Sequence, residues 1–138
     1  MVPRDHVPAV WADVKDHLEK AAHYTFGRYA VEDIYDAIMD YDHTLWIAFD
    51  DQVKGAVVTT FMHYPKKKYL NMVFAGGVEL VKWKEPMLKI LQHWAFDNQC
   101  DGIESTGRPG WAKIFANDGH RVVWHTYELP TASVGLGA

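Results

Sequence analysis

The spacing of apolar residues changes twice along this chain, and the two changes constrain its fold more than any other feature of the sequence. Over the first forty residues the spacing is helical. Val10, Val14 and Leu18 recur every fourth residue, with Trp11 and Ala21 or Ala22 widening the stripe. This predicts a helix over 8–23, entered through Pro8, whose missing N–H costs nothing in a first turn. Val31, Ile34, Tyr35 and Ile38 repeat the pattern after Tyr29, with Glu32 and Asp33 where the helix dipole favours negative charge. The period then breaks. Leu45-Trp46-Ile47-Ala48-Phe49 is a short run of strand formers, Asp50-Asp51-Gln52 is a turn, and Val53 to Met62 reads as the returning arm of a hairpin. A third strand is expected over 69–75, and Gly76-Gly77 after it marks a bend, a bulge or a close backbone approach.

Helical spacing returns with Met87, Leu91, Trp94 and Ala95, and Pro86 is read as the first residue of a third helix running to about Asn98. A short strand follows over 100–105, centred on Ile103. The turn Gly107-Arg108-Pro109-Gly110 leads into a fourth helix over 111–117, which Gly119 stops. A last strand is expected over 121–129, and residues 131–138 read as a flexible tail after one domain spanning 1–130. Three consecutive strands favour antiparallel neighbours, whereas the later strand–helix–strand units favour parallel crossovers. The expected class is therefore α/β, a mixed and mostly antiparallel sheet with helices on both faces.

Composition narrows the function. A net charge of −4 argues against a nucleic-acid-binding module. The single basic run, Lys66-Lys67-Lys68, is read as a solvated loop between strands. Cys100 is alone, so no intrachain disulfide forms, and a reducing compartment fits best. No apolar run reaches the roughly 18 residues of a membrane helix, and the first residues lack the apolar core of a signal peptide. A soluble protein without membrane insertion is expected. None of the eight histidines falls into a ligand spacing such as His-x-His or His-Glu-x-x-His, so no metal site is expected.

The order of elements is similar to that of the GNAT superfamily of acyl-CoA-dependent N-acyltransferases. The family's first strand would fall on Val2 to Asp5. Its strand, phosphate-binding loop, helix, strand and helix would fall on 69–75, the segment before Pro86, the third helix, 100–105 and 111–118. The segment Gly107-Arg108-Pro109-Gly110-Trp111 and the openings Val10-Trp11 and Leu45-Trp46-Ile47-Ala48 resemble small GNAT-like proteins of tailed bacteriophages. The resemblance implies an acetyl-CoA site whose pyrophosphate would meet Val81, Lys82, Trp83 and Lys84. That stretch, Val81-Lys82-Trp83-Lys84-Glu85-Pro86, has none of the glycines of the family's Arg/Gln-x-x-Gly-x-Gly/Ala loop. Lys82 and Lys84 could attract phosphates, while Glu85 would oppose them. The family's general-acid tyrosine maps to Phe115, which has no proton to give; Ser105 and Tyr127 are nearby polar groups that could substitute. Glu104 is either a base beside the cleft or an outward-facing strand residue, and Arg108 either pairs with an anion or covers the sheet edge.

No catalytic residue is assigned on this basis. The expected cofactor is none or acetyl-CoA. The expected role is a phage-type, virion-associated component of the head or ejection apparatus that acts by binding, in the virion or the host cytoplasm. Its partners would be other phage proteins or a host protein, and an oligomer is possible. The alternative is an acetyl-CoA-dependent N-acetyltransferase acting on an amine.

Overall fold

A computed structural model describes residues 1–106, 121, 123 and 126–131 of the chain. The chain divides into two compact units, Met1–Arg108 and Pro109–Ala138. In the first unit a single 3-10 turn, Arg4–His6, leads into α1 (Val7–His23), followed by α2 (Val31–Met39), β1 (Thr44–Phe49), β2 (Val53–His63), β3 (Lys68–Gly77), α3 (Leu80–Asp97) and β4 (Gly102–Ser105). The strands form one sheet in the order β1-β2-β3-β4, antiparallel except for the parallel pair β3–β4.

The expected class holds: this is a mixed α/β sheet with helices on both faces. Val14, Leu18 and Ala22 of α1 and Ile34 and Ile38 of α2 pack with Leu45, Ala56, Val58 and Phe74 on one face. The other face carries α3. There Trp46 meets Trp94 edge-on at 5.8 Å between ring centroids, and its Nε1–H donates to Thr59 Oγ1 at 2.9 Å inside the core. That bond satisfies a buried indole N–H, which would otherwise cost about 1–3 kcal/mol. The start of α2 is fixed locally, because the Asp33 carboxylate accepts the Ala30 N–H at 2.8 Å.

A bulge shapes β3. Phe74 pairs with Val58 and Met72 with Thr59, so Val73 is the extra residue. Met72 and Phe74 are two apart in sequence yet serve opposite faces. Just before the bulge, β3 also loses its other neighbour: the β3–β4 ladder ends at Met72↔Ser105, with Thr106 N–H donating to Met72 O. Among the described residues, 73–77 have a partner strand on the β2 side only. The described part of the β3–β4 ladder ends there.

Several expectations need correction. Val2 to Asp5 forms no strand: the Val2 N–H donates to Leu45 O at 2.9 Å, and the chain then turns into Arg4–His6. Pro86 does not start α3, which begins six residues earlier at Leu80 and carries Pro86 in its interior. Lys68 belongs to β3 rather than to a solvated loop, and its Nζ donates to Asn98 O at 2.8 Å. The last strand is absent at its described positions, Arg121, Val123 and 126–129, which have no regular backbone structure. The fourth helix, with Phe115, and the turn holding Arg108 lie outside the described residues.

Candidate functional site

Two places on the sheet carry polar chemistry. The first is the start of α3, where Val81, Lys82, Trp83 and Lys84 were expected to meet a pyrophosphate. Because α3 begins at Leu80, all four lie within its first turns. Lys82 and Trp83 line one pocket, from which Val81 stands apart. Val81 is 92% exposed. Trp83 turns back over the sheet and its Nε1–H donates to Val78 O at 2.9 Å. The indole rests on Gly55 of β2, where any Cβ would run into the ring. Glycine here makes room for tryptophan.

The preceding pair, Gly76-Gly77, has a similar purpose. A Cβ at Gly76 would collide with the backbone carbonyl of His17, so this glycine lets α1 lie directly on β3. The close approach that the sequence suggested is thus between two parts of the fold, on the face away from α3.

Glu79 is the residue that composition and spacing did not reveal. It is the N-cap of α3, held in the left-handed region at φ 54°, a conformation that carries a cost in any residue with a Cβ. Its carboxylate accepts from Lys82 Nζ at 2.9 Å and Lys54 Nζ at 3.0 Å. Lys82 first and Lys54 second hold its pKa below the ordinary value of 4.5. Asp50, Trp83 and these three residues line an open pocket of about 150 Å3. Glu85 points elsewhere, pairing with Lys89 at 3.6 Å one turn on.

These residues do not fit the pyrophosphate of a CoA-type cofactor. The glycines that would let backbone approach a phosphate are absent, and an indole lies across the helix end. Val78 N–H is used on Lys54 O and Lys82 N–H on Glu79 O. A carboxylate holds both lysines. A second anion beside it would meet a repulsion of about 1–4 kcal/mol per pair of unit charges 4 Å apart.

The second place is the end of the β3–β4 ladder. Asn71 and Glu104 are cross-strand partners one step before the β3–β4 ladder ends. Glu104 is no outward-facing bystander: its Oε1 accepts from Asn71 Nδ2 and from the Tyr64 hydroxyl, both at 2.9 Å, and Oε2 lies 3.1 Å from the same hydroxyl. Thr106 Oγ1 accepts from Asn71 Nδ2 at 3.3 Å. Asn71 is only 7% exposed, a polar side chain inside an apolar strand. The bond to Glu104 pushes the Tyr64 hydroxyl pKa up, because ionising it would place two negative charges in contact. None of the ion pairs among the described residues involves Glu104. The Tyr64 hydroxyl and the Asn71 amide together fix the orientation of the Glu104 carboxylate. Ser105 closes the ladder beside it and is exposed; Tyr127 is 87% exposed in the second unit. Among the described residues no three His, Cys, Asp or Glu side chains converge as metal ligands, and no helix is long and apolar enough to cross a membrane.

This mixed α/β arrangement, with α1 and α2 on one face of the sheet and α3 on the other, is a GNAT-like fold shared with solved acetyltransferases. The chain is similar to a predicted acetyltransferase of Clostridium acetobutylicum solved with acetyl-CoA, at a TM-score of 0.66 and 11% identity over 96% of this chain and 94% of that one. It is also similar to the ribosomal-protein-alanine N-acetyltransferase of Brucella melitensis (TM-score 0.61, 12% identity, 84% and 92% of the two chains). An aminoglycoside acetyltransferase from an uncultured soil metagenomic sample, solved with sisomicin, matches at 0.62 with 11% identity over 94% and 93%. No protein-family model and no curated protein matches the sequence.

Proposed function

We propose that this protein uses the acetyltransferase fold to bind a partner rather than to turn over acetyl-CoA. One observation carries the reading: the start of α3, where anions are ordinarily held by free N–H groups and glycine backbone, is filled by this chain's own Trp83 indole and Glu79 carboxylate. A role in a phage particle, in the head or ejection apparatus, is the finer part of the proposal and is supported by the Gly107–Trp111 resemblance. Mass spectrometry of purified virions tests it, and absence from particles refutes it.

Thermal unfolding with acetyl-CoA tests the main claim. With a Kd above 1 mM, 1 mM ligand stabilises the fold by at most about 0.4 kcal/mol, whereas a micromolar site would give about 4 kcal/mol. The expected outcome is a midpoint shift of no more than about 2 °C. A shift of ten degrees or more overturns the proposal in favour of N-acetyltransferase activity. A specific observation supports that second reading: the Glu104 carboxylate, oriented by Tyr64 and Asn71 at the end of the β3–β4 ladder, is suited to accept a proton from an amine.

A further inference from the structure

We infer that Glu79 is an internal substitute for a ligand's phosphate, and that its carboxylate occupies the two lysines that would otherwise hold a phosphate-bearing ligand at the start of α3. The inference rests on the reading that this protein does not use acetyl-CoA, and it assigns a defined part of that loss to one side chain. Two lysines from different elements converge on the same point, Lys54 from β2 and Lys82 from the first turn of α3, and the group they share is the Glu79 carboxylate at 3.0 and 2.9 Å. Two cations and a helix N-terminus around a single acceptor are the ingredients of an anion site. Here the anion is covalently part of the chain, so its effective concentration is far above that of any dissolved competitor.

The backbone is adapted to this arrangement. Glu79 occupies the N-cap in the left-handed region, and Val78 N–H is tied to Lys54 O at 2.7 Å. Those two features bring the carboxylate back over the helix end, between the β2 lysine and the α3 lysine. Trp83 closes the inner side through its bond to Val78 O. The outer side is the open pocket between Asp50, Lys54 and Lys82, which an anion could enter once the carboxylate is gone.

The substitution Glu79→Gln keeps the side-chain length and removes the charge. Inorganic pyrophosphate is the probe, titrated by calorimetry into the full chain, with far-UV circular dichroism and a melting curve confirming that the variant is folded. The wild-type protein is expected to show no saturable binding at 10 mM, and E79Q to bind at least tenfold more tightly, in the low millimolar range or better. Adding Lys54→Ala and Lys82→Ala to E79Q should abolish the gain. Failure of folded E79Q to bind overturns the inference, as does a gain that survives loss of both lysines. Glu79→Ala provides the same readout should E79Q not fold. The two proposals fail separately: tight binding of acetyl-CoA to the wild type sinks the function, whereas a silent E79Q sinks only the part given to Glu79.

Discussion

At the scale of single residues, this fold depends on positions where a side chain is missing as much as on those where one is present. Gly76 is the clearest case, because the His17 carbonyl occupies the space a Cβ would take. Both groups are backbone, so neither can swing aside. Gly76→Ala should therefore destabilise the protein by more than about 2 kcal/mol, since α1 must lift from β3; urea denaturation would show it as a lowered midpoint at unchanged slope. The sequence made Gly76 legible as a close approach but could not name what approaches. Glu104 was visible as a candidate, whereas its partners were not: Tyr64 is 40 residues away and Asn71 is 33 away. Asn71 did leave a signal, a polar residue between Leu70 and Met72 in a strand otherwise built for burial. Glu79 left none, because an acid before a helix reads as ordinary dipole chemistry until two lysines are found on it.

At the scale of elements, hydrophobic period located α1, α2 and the first three strands closely, because each buries one regular stripe or face. The start of α3 was misread for an identifiable reason. Proline favours the first helical turn, and that preference obscured the fact that Leu80 and Trp83 continue the inward face of Met87, Leu88 and Leu91 across Pro86. In its actual place Pro86 removes the bond to the Lys82 carbonyl and crowds that oxygen. The penalty is limited because this carbonyl lies near the helix start, beside an exposed lysine. Pro86→Ala should restore the bond and raise stability by about 1–3 kcal/mol, measured as an increase in the thermal midpoint. A decrease would mean that the proline positions the first turn of α3, and with it Glu79 and Trp83. The strand expected over 121–129 shows the opposite failure: alternation alone proposed an element that the described residues there do not form.

At the scale of the whole molecule, the sequence indicated the architecture because two helices, a hairpin and a strand–helix–strand unit admit few arrangements. It could not indicate the bulge in β3, which is a register event between strands. The bulge at Val73 makes that event unusually simple. Residues before Val73 and residues after it already face the way an uninterrupted strand would have them face once Val73 is taken out: Met72 toward α3, Phe74 toward α1. Deleting Val73 is therefore expected to yield a folded protein, with a cooperative melt within about ten degrees of the wild type, and loss of that transition would refute the expectation. Most single-residue deletions inside a strand exchange inner and outer side chains and are not survivable. This one is in frame with respect to the faces of the sheet. A bulged and an unbulged β3 can thus stand one codon apart, so the bulge is a feature that a lineage could gain or lose in one step.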